Sequence, residues 1–91
     1  MKNNQEPDRG LFDALPLEIQ IRSKLSIAIA GRIEALMKEK GLSKKKFAEA
    51  MGRRPSEITK WLSGEHNFTV GTLSMLSAFF NDSIIEVVSN D

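Results

Sequence analysis

Apolar residues recur at three- and four-residue steps along the first half of the chain. Leu25, Ile29, Ile33, Leu36 and Met37 trace one face of a helix. Pro16 and Glu18 suit the start of that helix, and Gly41 suits its end. Lys38 and Lys40 stand well against the negative end of its dipole, so the pattern predicts a long helix from Pro16 to about Lys40. Near its start Leu17, Ile19 and Ile21 alternate as in a strand, but the start signals favour helix.

Residues 43–64 read as a helix, a sharp turn and a second helix. Ser43 can cap the first helix, Phe47, Ala48 and Met51 form its apolar stripe, and Gly52 stops it. Pro55 fits the first position of the second helix, where its missing N–H costs nothing. Ile58, Trp61 and Leu62 give that helix a buried stripe, and Gly64 ends it. After a loop over residues 65–68, Thr69 can cap a third short helix from about Val70 to Phe80. Gly71 weakens that helix by roughly 1 kcal/mol relative to alanine. The β-branched run Ile84, Ile85, Val87 and Val88 predicts a short C-terminal strand.

This organisation predicts three parts: a flexible polar leader over 1–15, a helix-turn-helix domain over 16–82, and a tail over 83–91 for dimer or partner contact. The expected fold class is all-α, a compact bundle of four or five helices. Ninety-one residues suffice for one modest core. No run approaches the ~20 apolar residues of a membrane helix, and the polar first ten residues predict no signal peptide. The absence of cysteine excludes disulfides and thiolate metal sites and fits a reducing, cytoplasmic setting.

A net charge of +1 says little until it is mapped. Residues 1–37 carry five basic and five acidic side chains, residues 38–60 eight and three, and residues 61–91 none and four. Positive charge therefore collects on the helix-turn-helix stretch, as phosphate binding would require.

The spaced residues Leu42-Ser43, Phe47-Ala48, Gly52, Ile58, Lys60-Trp61, Gly64, Thr72-Leu73 and Leu76 resemble the lambda-repressor-like family of DNA-binding domains, the phage repressor and Cro (XRE) type. The resemblance covers roughly residues 25–82. The run from Lys60 to Thr69 is also similar to antitoxins encoded beside host-inhibition-of-growth-type toxins. The family pattern turns Val70, Leu73, Leu76, Ser77 and Phe80 inward. It also implies that the second helix enters the major groove with Pro55, Ser56, Thr59 and Lys60 at base edges. DNA-backbone positions fall on Lys44 and Arg54, Arg53 is expected to neutralise phosphate beside them, and His66 and Asn67 are expected to approach the backbone from the following loop.

Three departures from the family matter. Pro55 stands where a long polar side chain is usual and can offer only apolar contact, for instance to a thymine methyl. Arg54 replaces the usual Ser or Thr cap, losing about 1 kcal/mol of capping but supplying a phosphate fork. Met37 and Leu62 occupy positions where many relatives carry an arginine–glutamate pair, so packing is expected to replace an ion pair there.

Trp61 shares a face with Ile58, which favours burial over stacking on a base, and Phe68 is likewise expected in the core. The single histidine, His66, argues against a zinc site, and no triad spacing or Walker-type glycine loop is present. The sequence thus predicts a non-enzymatic DNA-binding regulator without cofactor or metal, acting as a homodimeric repressor on double-stranded DNA. A toxin-neutralising antitoxin that binds a small toxin protein is the alternative.

Overall fold

A computed structural model of the chain describes residues 9–89. Five helices follow one another: α1 (Arg9–Asp13), α2 (Leu17–Glu39), α3 (Lys44–Met51), α4 (Pro55–Leu62) and α5 (Val70–Phe80). Among the described residues there is no strand. The expectation of a flexible leader falls partly outside the described residues. Within them, Arg9–Asp13 is a short helix inside the stretch expected to be flexible. Gln20 at the start of α2 fastens the connection, its side-chain amide donating to the carbonyls of Asp13 and Leu15 at 3.3 and 2.8 Å.

The helix ends are set by local chemistry. At the end of α2, the Leu42 N–H returns to the Met37 carbonyl at 2.8 Å and Gly41 N–H to Lys38, satisfying the last carbonyls. Ser43 Oγ accepts from the Lys46 N–H at 3.1 Å and caps α3. Gly52, at φ 67°, closes α3 in the left-handed region, with Arg53 N–H bonded to Ala48 O at 2.9 Å. Glycine takes that conformation without steric cost, so the chain turns sharply into α4. Arg54 occupies the cap position of α4 without a side-chain cap bond, and Pro55 stands at the first turn. Thr69 caps α5 through Thr72 N–H at 3.1 Å, and Asn81, at φ 53°, closes it.

The core forms where α2, α3, α4 and α5 converge. Phe47, Ile33, Leu36, Ile58 and Leu76 are fully buried. Phe47 is its centre, with ring centroids 6.2 Å from Trp61, 5.4 Å from Phe79 and 5.3 Å from Phe80. Trp61 is buried as expected, and Phe68 packs half-buried against the core. Met37 is buried, and Leu62 packs half-buried against the same core.

Two positions expected to face inward do not. Leu25 is 53% exposed, because the buried row of α2 runs through Ser26, Ile29 and Ile33, about 40–100° further round the helix. Val70 is exposed as well; it lies one turn before the buried row of Leu73, Leu76 and Phe80, at the first residue of α5.

The predicted strand is corrected too. Its residues have no neighbouring strand among the described residues, and a strand needs one to satisfy its backbone. The tail is instead pinned as a plug. Ile84 is buried in the core and its N–H donates to Ser77 Oγ at 3.2 Å. Arg32 clamps the same turn, donating to the Ser83 carbonyl at 3.0 Å and pairing with Asp82 at 3.0 Å.

Candidate nucleic-acid interface

α4 divides cleanly into two sides. Ile58 and Trp61 are buried against the rest of the domain, while Arg54, Pro55, Ser56, Thr59 and Lys60 are exposed. The division follows from helical periodicity, since positions 58 and 61 share one side and 56, 59 and 60 fall on the others. Gly64 lets the chain leave α4 at φ 82°. A side chain there would also crowd Ile27 of α2, whose Cγ1 lies 3.3 Å from an added Cβ. Any other residue there would be strained by the backbone, and the exposed Ile27 side chain would have to give by a few tenths of an ångström. Ser63 helps shape this exit, its hydroxyl donating to Lys60 O at 2.7 Å and accepting from Glu65 N–H at 3.1 Å.

The two adjacent arginines behave differently. Arg53 is committed inside the domain: it pairs with Glu57 at 3.1 Å, donates to Met75 Sδ at 3.4 Å, and lies 5.9 Å from the Trp61 ring centroid. It thereby ties the α3–α4 turn to α4 and α5. Arg54 is exposed, and among the described residues no carboxylate pairs with it; the same holds for Lys44 and Lys60. Glu57 was not singled out from the sequence, although its spacing of four from Arg53 was a readable signal for an ion pair.

Lys44, Lys45 and Lys46 are all exposed in the first turn of α3. Three cations beside the positive end of a helix dipole are unfavourable, and a bound anion would reverse the sign. Thr59 is exposed, with its hydroxyl donating to the Pro55 carbonyl at 3.1 Å, so its oxygen keeps acceptor capacity. Ser56 is exposed beside it.

The loop residues His66 and Asn67 separate. His66 is half-buried, edge-on to Phe68 with centroids 4.7 Å apart, and lines a shallow cleft with Arg53, Glu57, Lys60, Trp61 and Thr72. Asn67 lines a different cleft, with Arg22, Leu25 and Ile85 between α2 and the tail. The fold thus brings His66 to the Lys60 side of α4 and leaves Asn67 on the α2 side. Among the described residues no group of three or more His, Asp or Glu side chains could hold a metal ion.

A capped helix, a left-handed glycine turn and a second helix with one buried and one polar side define a helix-turn-helix protein. Over residues 33–86, more than half of the chain, it matches the family described as helix-turn-helix, and it belongs to that lambda-repressor-like (XRE-type) family. This is a DNA-binding family, and the chain is a DNA-binding transcriptional regulator. No curated protein and no solved structure matches the chain. Among the described residues no helix is long and apolar enough to cross a membrane.

Proposed function

We propose that the protein is a cytoplasmic, sequence-specific repressor that binds a two-fold DNA operator as a dimer, with α4 in the major groove. The observation that carries this reading is the outward side of α4. Arg54, Ser56, Thr59 and Lys60 are exposed there, and the cations among them have no carboxylate partner among the described residues. Lys44 and Arg54 supply sequence-independent affinity by neutralising phosphates. Ser56, Thr59 and Lys60 read base edges, with Lys60 long enough for guanine O6 and N7, while Pro55 offers apolar contact to a thymine methyl. His66, beside the Lys60 cleft, supports a phosphate contact at the end of α4. Arg53 serves this surface by holding it in place, since its guanidinium is occupied by Glu57 and Met75.

One module of this size covers only about 600–1,000 Å² on DNA, so a pair of modules on two half-sites is the route to useful affinity. The test is a gel-shift of the purified protein against the DNA upstream of its own gene, across a salt series. A specific shift that weakens steeply with salt is expected, and its absence at low salt against competitor DNA would refute the reading.

A second reading, that the protein is an antitoxin which binds a small toxin and represses its own operon, draws on the tail. Val87 and Val88 are 91% and 87% exposed beyond the Ile84 plug, an apolar end available to a partner. Co-purification of the full chain with the product of an adjacent small gene tests it, and loss of that complex on deleting residues 86–91 is the expected result.

A further inference from the structure

The N-terminal half of α2 exposes a second, very different face. Leu17, Ile21 and Leu25 follow one another at single-turn spacing and are 69%, 50% and 53% exposed. On one flank Gln20 and Lys24 hold α1, through the amide bonds at the Asp13 and Leu15 carbonyls and through Lys24 Nζ, 5.9 Å from the Phe12 ring centroid. On the other flank Arg22 and Ile29 share a cleft with Ile85 of the tail, which Leu25 borders from the ridge. The three apolar side chains stand as a ridge between these flanks, and a row of this kind on a surface helix marks a contact site for protein.

We infer that this ridge is the dimer interface, with α2 of one copy packed antiparallel on α2 of a second copy about a two-fold axis at Ile21. The pattern is its own complement. Reversing the helix about position 21 puts Ile21 opposite the partner's Ile21 and Leu17 opposite the partner's Leu25. That is the self-matching arrangement an isologous contact requires. Charge follows the same symmetry. Glu18 and Arg22 lie on one edge of the ridge, one turn apart. The antiparallel arrangement brings Glu18 within about two residues' rise, roughly 3 Å along the axis, of the partner's Arg22, twice over, so that the two Arg22 side chains, equally close to each other along the axis, are each matched by a carboxylate.

The position of the ridge also suits the proposed function. It lies roughly 120° around α2 from the buried row that packs on the rest of the domain, including α4. Pairing there uses none of the exposed residues of α4, which a dimer on two half-sites needs for DNA. The inference rests on the dimeric reading above but names the face that performs it.

The chain has no cysteine, which makes the test direct. Ile21→Cys in the full chain, under mild oxidation, is expected to give a disulfide-linked dimer with unchanged far-UV circular dichroism. Leu17→Cys alone should give little, whereas a mixture of Leu17→Cys and Leu25→Cys chains should cross-link. By sedimentation equilibrium the natural sequence should be dimeric and Ile21→Asp monomeric with its helicity intact. Arg22→Glu should weaken the dimer about tenfold, for two ion pairs worth somewhat under 1 kcal/mol each, and Glu18→Arg added to it should restore most of that. A monomer at every concentration would overturn the inference, as would a dimer that survives Ile21→Asp or cross-links through Val87→Cys and not Ile21→Cys. A dimer formed through this ridge that shifts no DNA would refute the DNA reading and leave the interface standing.

Discussion

The outward faces of α4 and of the first half of α2 make an instructive pair. Both belong to helices whose other side is buried in the same core, and both are open to solvent. α4 turns outward a cation, hydroxyls and a lysine, groups that bind phosphate and base edges. α2 turns outward leucine, isoleucine and leucine, which gain nothing from phosphate and much from another apolar surface. On the reading proposed above, the same architecture separates a nucleic-acid face from a protein face by composition alone.

The largest expected effect tests where inner and outer sides of α4 meet. Leu62 packs half-buried against the core that contains Met37. Leu62→Glu should cost roughly 1–3 kcal/mol, measured by urea unfolding, because it removes apolar packing and places a carboxylate at the core's edge. Adding Met37→Arg should recover part of that loss by supplying a partner. A neutral Leu62→Glu would show that this edge carries no packing energy.

Next in size is the reading face itself. Lys60→Ala should lower discrimination between operator and mismatched DNA by about 1–3 kcal/mol, read as competition binding at fixed salt. Thr59→Ala should act in the same direction but less, since its hydroxyl already bonds the Pro55 carbonyl.

Arg54→Ala should weaken binding to all sequences alike and reduce the salt slope by about one phosphate contact. Arg53→Ala is the smallest effect and the sharpest contrast. Its ion pair with Glu57 is more than a third exposed on both sides, so the pair itself is worth no more than about 1 kcal/mol of stability, and the salt slope should stay unchanged. Equal salt slopes for the two arginine variants would erase the distinction drawn between them.

Much of this was legible before any coordinates. The cap at Ser43, the glycine turn at Gly52, Pro55 at the start of α4 and the burial of Trp61 are local rules, and local rules survive folding. The misses arose where tertiary surroundings decide. Leu25 fits a helical stripe as well as Ser26 does, and only the placement of the other helices selects between them. Ile84 and its neighbours have strand-like side chains, but without a pairing partner one isoleucine plugs the core and the valines beyond stay exposed. In the candidate interface, Arg53 and Arg54 look alike in the sequence. Only the fold commits the first to Glu57, Met75 and Trp61 and leaves the second free of carboxylates among the described residues.

The central claim, that the outward side of α4 is the DNA-reading surface, is tested most directly by amide chemical-shift mapping of the full chain with its upstream DNA duplex. The account predicts the largest shifts at Lys44, Arg54, Ser56, Thr59 and Lys60, with Pro55 silent because it has no N–H. Shifts confined to α2 or to residues 83–89, with the α4 amides unmoved at saturating DNA, would contradict it.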